Sequence, residues 1–135
     1  IYGPGQAGSM LVPYAARQAQ EGQRAEFSDG LQVRDFVYVD DVVDAILRGL
    51  EKPVTGPVAL NLGSRDPVRA RDLLQAIADH FRAGDRFVFG ARPRRASEPD
   101  EQIADCTRAE QVLGWRPTVG WREGIRRICE ASVQS

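Results

Sequence analysis

Cysteine and histidine are almost missing from this chain, with Cys106, Cys129 and His80 the only three in 135 residues. Two distant thiols and one imidazole give neither a disulfide framework nor a metal site, so both cysteines read as small buried apolar residues and His80 as a surface histidine. Lysine is scarcer still, because Lys52 is the single lysine among 18 basic residues and the rest are arginine. The formal net charge is −1, which supplies no general field for nucleic acid or an anionic membrane. Any anion site must therefore be local and built from individual arginines. No apolar run approaches a membrane span and no signal peptide opens the chain, so a reduced, cytoplasmic setting is expected. A composition of 42% hydrophobic and 27% charged residues is that of one globular domain with a real core.

The opening Ile1-Tyr2-Gly3-Pro4-Gly5 lacks a start methionine and reads as the end of a strand breaking into a turn, the pattern of a piece of a larger fold. From there helices and strands alternate. Ser9 is placed to cap a helix through about Glu21, with Gly22 as its stop. Arg24 to Phe27 is a short strand and Ser28-Asp29-Gly30 a turn. Phe36, Val37, Tyr38 and Val39 favour a strand, Asp40 is a candidate N-cap, and Val43, Ile46, Leu47 and Leu50 recur on one face of a helix that ends near Glu51 at Pro53.

Val58 to Leu62 reads as a third strand. Asp66-Pro67 can cap and start a helix that carries Leu73, Leu74, Ile77 and Phe81 inward, and Arg86 to Phe89 is a further extended piece. Gly90 to Gln102 is polar and proline-punctuated, a loop. Thr107 and Glu110 form a capping-box pattern for a helix closed at Gly114. Trp121, Ile125, Ile128 and Cys129 mark one face of a last helix, and Trp115 and Trp121 read as packing anchors.

Arg34 stands out inside a segment otherwise built for burial, Gly30 to Asp41. A guanidinium held on a rigid strand suits two oxygens of a phosphate or carboxylate, while the plainer alternative is an internal pair with Asp35 or another nearby acid. Asn61 and Ser64 belong more naturally to a tight strand-end turn than to a ligand.

Ile1-Tyr2-Gly3-Pro4-Gly5, the Arg34-Asp35 segment, Asn61-Leu62-Gly63-Ser64, Arg95-Ala96-Ser97-Glu98 and Leu113-Gly114-Trp115-Arg116-Pro117 occur in an order and spacing that resemble the extended short-chain dehydrogenase/reductase family, the NAD-dependent nucleotide-sugar epimerases and dehydratases. The likeness runs from Ile1 to about Arg126. It implies an α/β fold, the C-terminal substrate-binding portion of a Rossmann-type enzyme with a small mixed sheet and flanking helices, lacking the N-terminal dinucleotide-binding domain. The family's glycine-rich turn and its Tyr-x-x-x-Lys pair have no match here, since Tyr2, Tyr14 and Tyr38 have no lysine four residues on. No catalytic residue is therefore assigned, and the chain alone is expected to be inactive.

By the same resemblance, Arg34 and Arg95 match two arginines that contact a diphosphate and Glu98 an acid that holds a ribose hydroxyl. Phe27 matches an aromatic that packs on the base, beside backbone groups of Ala25 and Glu26, and Met10 and Leu11 a helix start against the nucleotide. Phe27 reads equally as a core aromatic, and a one-residue slip would promote Arg94 over Arg95. Ser28 and Ser97 stand where the family usually has glycine. The implied partners are a nucleoside-diphosphate sugar, NAD or NADP bound mainly by the other half, and a second copy in a homodimer of the whole protein. A non-catalytic nucleotide-binding or regulatory module of the same descent is the alternative.

Overall fold

The computed structural model describes residues 1–52 and 55–133. The elements run α1 (Leu11–Gln20), β1 (Ala25–Glu26), β2 (Val33–Arg34), α2 (Val39–Glu51), β3 (Val68–Arg69), α3 (Ala70–His80), β4 (Phe87–Val88), β5 (Glu101–Gln102), α4 (Thr107–Leu113) and α5 (Trp121–Val133). Two small sheets result among the described residues: β1 pairs parallel with β4, and β2 lies between antiparallel β3 and parallel β5. Tyr2 and Tyr38 form an isolated parallel bridge.

Helices α1, α3 and α5 enclose the main core. Ala15, Ala16 and Ala19 on α1 are small enough for close helix approach, and Leu73, Leu74 and Ile77 of α3 meet Trp121, Ile125 and Cys129 of α5. Tyr2 is driven into this core and its hydroxyl donates to the Trp121 carbonyl at 3.2 Å. Gly124 makes that possible, because a Cβ there would collide with the Tyr2 hydroxyl. A second cluster, Ala45, Cys106, Ala109, Leu113 and Trp115, packs α2 onto α4. Both cysteines and both tryptophans are buried, as their composition suggested, and His80 is exposed with its ring edge on Phe81.

Several expected boundaries move, and the reason is usually that pairing or packing outweighs a side-chain cap worth about 1 kcal/mol. Met10, not Ser9, holds the N-cap position of α1. Tyr38 occupies that position for α2, leaving Asp40 in the first turn. Val68 and Arg69 are drawn into pairing with β2, so α3 begins only at Ala70 with Arg69 before it, not Asp66. Thr107 forms no capping box: its amide is satisfied by Asp105, and Glu110 instead binds Arg65 and Arg116. Gly114 closes α4 in the left-handed region, φ 63°, as its position predicted. Residues 58–62 form no strand, and 36–38 bridge only to Tyr2. α2 ends at Glu51, as expected, and Pro53 lies outside the described residues.

On α2 the expected apolar residues do share a face, and that face is turned outward: Val43, Ile46, Leu47 and Leu50 are 47%, 56%, 53% and 79% exposed, while the helix buries Asp41 and Ala45. Periodicity identifies residues that share a face but not what covers that face. Asp41 explains the orientation. Its carboxylate accepts from the Thr118 amide and hydroxyl and from the Val119 amide at 2.8–3.0 Å, and its backbone carbonyl accepts from the Trp115 indole.

Asp41→Ala strands three donors in a site only 3% exposed and is expected to cost about 3 kcal/mol, measured as a lowered urea midpoint, with Asp41→Asn costing less. Burial also pushes the Cys129 thiol up to about 11 from an ordinary value of 9.0. The unfolded chain then sheds this proton first, so stability present below pH 9 should fall as pH rises from 9 towards 11. Cys129→Ala should flatten that decline in urea titrations run across the interval.

Candidate functional site

A concavity of about 470 Å³ opens between the start of α1, the β1–β2 connection and the loop 92–98, with Leu11, Tyr14, Phe27, Gln32, Arg95 and Glu98 on its wall. Two of its lining residues are aromatic, Phe27 and Tyr14, whose rings meet edge-on at 6.1 Å. Phe27 is buried and also packs against two rings that are not on the wall, Phe87 tilted at 5.0 Å and Phe89 stacked at 5.8 Å between ring centres. The Arg71 guanidinium lies 4.7 Å from the Phe89 centroid on the same aromatic group. Phe27 is thus both a core residue and part of the cavity. The two readings open in the sequence are compatible.

β4 is the only strand paired with β1 among the described residues, which leaves the other edge of β1 unpaired beside the cavity, where Glu26 lies on the wall. The Phe27 backbone is engaged internally, its amide donating to Val88 and its carbonyl accepting from Arg92. Gln32 adds an acceptor, Oε1, that is buried without a partner. Met10 lies half exposed ahead of α1 and is not on this wall, unlike Leu11.

The loop arginines divide by their partners. Arg94 binds Asp100 at 2.9 Å and approaches Asp29 at 3.9 Å. Arg95 takes part in none of the ion pairs among the described residues and remains an exposed cation on the cavity wall. Arg94 and Arg95 both line the cavity and differ in their partners.

Arg34 is placed differently. It lines a neighbouring concavity of about 460 Å³ with Ile1, Phe36, Asn61 and Gln102. Its Nη1 donates to the Val33 carbonyl and its Nη2 to Glu98 Oε1, both at 2.8 Å. Glu98 lies on the wall of the first cavity, so the Arg34–Glu98 pair stands at the junction of the two spaces. Arg34, Glu98 and Arg95 are brought together, although Arg34 reaches the first cavity only through Glu98.

Sequence reasoning missed the residue that holds this arrangement. Asp35 had been considered only as a partner for Arg34, but adjacent residues of an extended segment point to opposite faces. The Asp35 carboxylate turns away and accepts from the Ser64 amide, the Ser64 hydroxyl and, at 3.2 Å, the Ala104 amide. It ties β2 to the 61–64 turn and to the segment after β5. Strand alternation was the signal that could have revealed it.

Comparison with known proteins agrees with this geometry. The model of the NAD dependent epimerase/dehydratase family matches residues 1–63. UDP-glucose 4-epimerase of Mycolicibacterium smegmatis is 37% identical over 96% of this chain and 42% of its own length. The solved UDP-glucose 4-epimerase of Thermotoga maritima with UDP-glucose superposes with a TM-score of 0.88 at 29% identity, covering 98% of this chain and 43% of that one. UDP-glucuronic acid 4-epimerase of Bacillus cereus, in complex with UDP-glucuronic acid and NAD, gives 0.86 at 27% identity, covering 98% and 42%. The chain therefore spans less than half the length of each of these relatives. With the sequence motifs, the family model and the backbone all in agreement, the chain belongs to the NAD-dependent epimerase/dehydratase family of extended short-chain dehydrogenases/reductases.

Proposed function

We propose that this chain is the nucleotide-sugar-binding part of an NAD(P)-dependent epimerase or dehydratase, and that it grips the nucleoside diphosphate while the rest of the protein carries the chemistry. The observation that carries this reading is the placement of Arg95 and Glu98 on the wall of a cavity that Phe27 and Tyr14 also line, with Arg34 bound to Glu98 from the neighbouring concavity. An aromatic wall suits the face of a base, and guanidinium forks suit phosphate oxygens. The relatives that hold UDP-glucose and UDP-glucuronic acid support the same ligand class.

Gripping the non-reacting part of a substrate orients the reacting sugar and lowers the barrier without supplying an acid, base or hydride. The described residues offer no glycine-rich turn or Tyr-x-x-x-Lys pair to a dinucleotide, so the cofactor is assigned to sequence outside these 135 residues. When bound, it would supply the hydride transfer. The exposed stripe on α2 and the unpaired extended residues 58–62 beside it are the surface on which that remaining part would seat.

Isothermal calorimetry should detect UDP binding to the chain. Arg34→Ala should weaken it by about 1.5–3 kcal/mol, roughly 10- to 150-fold in Kd. Arg95→Ala should cost less, because its cation is already solvated. Unchanged affinity in both variants overturns the grip. Ile46→Glu with Leu50→Glu should alter stability by no more than about 0.5 kcal/mol per site while reducing self-association in sedimentation velocity. A large loss of stability would mean that the α2 stripe is covered within the chain itself.

A further inference from the structure

Arg34 is an anion-binding residue that already holds an anion, and this suggests a role for Glu98 beyond that of a ligand contact. Resting on the nucleotide reading above, we propose that Glu98 is a built-in counter-anion that the ligand's phosphate must displace. The Arg34–Glu98 pair would then select ligands that carry a hydroxyl donor next to the phosphate. The two partners are unequally anchored. Arg34 extends from β2, donates to the Val33 carbonyl at 2.8 Å, and sits next to Asp35, whose bonds to Ser64 and Ala104 fix the strand. Glu98 lies on a turn between Ser97 and Pro99, its amide donating to the Arg95 carbonyl at 3.0 Å, and its carboxylate has Arg34 as its one salt-bridge partner among the described residues. The carboxylate is therefore the partner able to move.

Displacement has a cost that depends on the ligand. The side chains of Arg34 and Glu98 are 18% and 25% exposed, so a Glu98 carboxylate stripped of its guanidinium is left poorly solvated. A nucleoside diphosphate offers phosphate oxygens to Arg34 and ribose hydroxyls to the released carboxylate, so both groups keep a partner. Inorganic pyrophosphate offers Arg34 the same oxygens but gives Glu98 no donor and repels it. The pair thus penalises bare phosphates. Arg95, exposed and without an acid of its own, serves both ligands alike and contributes no such discrimination.

The test is calorimetry of UDP and of pyrophosphate with the wild-type chain and Glu98→Gln, each checked for an unchanged circular-dichroism spectrum. The amide removes the competing charge, so pyrophosphate affinity should rise and the preference for UDP over pyrophosphate should fall by about tenfold. Glu98→Ala, which also removes the charge, should shift the preference in the same direction and serves if the amide variant does not fold. An unchanged preference, or weaker pyrophosphate binding to Glu98→Gln, overturns the inference and leaves Glu98 as a support that steadies Arg34. If the wild-type chain binds neither ligand, the nucleotide reading fails as well. UDP bound with an unaltered preference overturns this inference alone.

Discussion

The side of this molecule that carries the two concavities depends on where Asp35 puts its carboxylate. β2 is two residues long and is flanked by two strands of the same length, too little ladder to hold a guanidinium in place. Three charge-assisted bonds supply what the sheet lacks, joining the strand to Ser64 on one segment and Ala104 on another. Gly63 is required by the same arrangement, since a Cβ there would collide with the Asp35 carboxylate and the Ala104 side chain. Arg34 is rigid because its neighbour is tied down, and the orientation of the ion pair with Glu98 follows from that.

The helices were legible wherever their own chain covers them. Trp121, Ile125, Ile128 and Cys129 read as one face of α5 and are buried as one face. Leu73, Leu74 and Ile77 do the same on α3. α2 has an equally clear pattern and its helix was legible too, but a stripe of Val43, Ile46, Leu47 and Leu50 does not name its cover, and the four stand exposed. The extended residues 58–62 failed for a related reason: strand propensity is realised only against a paired neighbour, and none of the described residues provides one.

Of the candidate residues, Glu98, Arg95, Phe27 and Leu11 line one concavity and Arg34 the neighbouring one, whereas Met10 lies off both walls. The sequence could not show that Arg34 and Glu98, 64 positions apart, bind each other, or that Arg94 is held by Asp29 and Asp100 while Arg95 is not. Such pairings depend on how the loop 92–98 folds over β2, which is a long-range event. The aromatic packing around Phe27 was likewise only partly visible, since Phe89 lies far from Phe27 along the chain.

The seating of Tyr2 against Gly124 has a consequence for how the molecule assembles. The hydroxyl of the second residue finds its acceptor 119 positions later, at Trp121. A contact of that span closes a loop embracing nearly every other described element, so Tyr2 cannot take its place until α5 has been made. During synthesis on the ribosome, helices α1 and α3 would form early without the wedge that completes their core. Folding of this portion is therefore expected to be completed only after its last helix has left the exit tunnel.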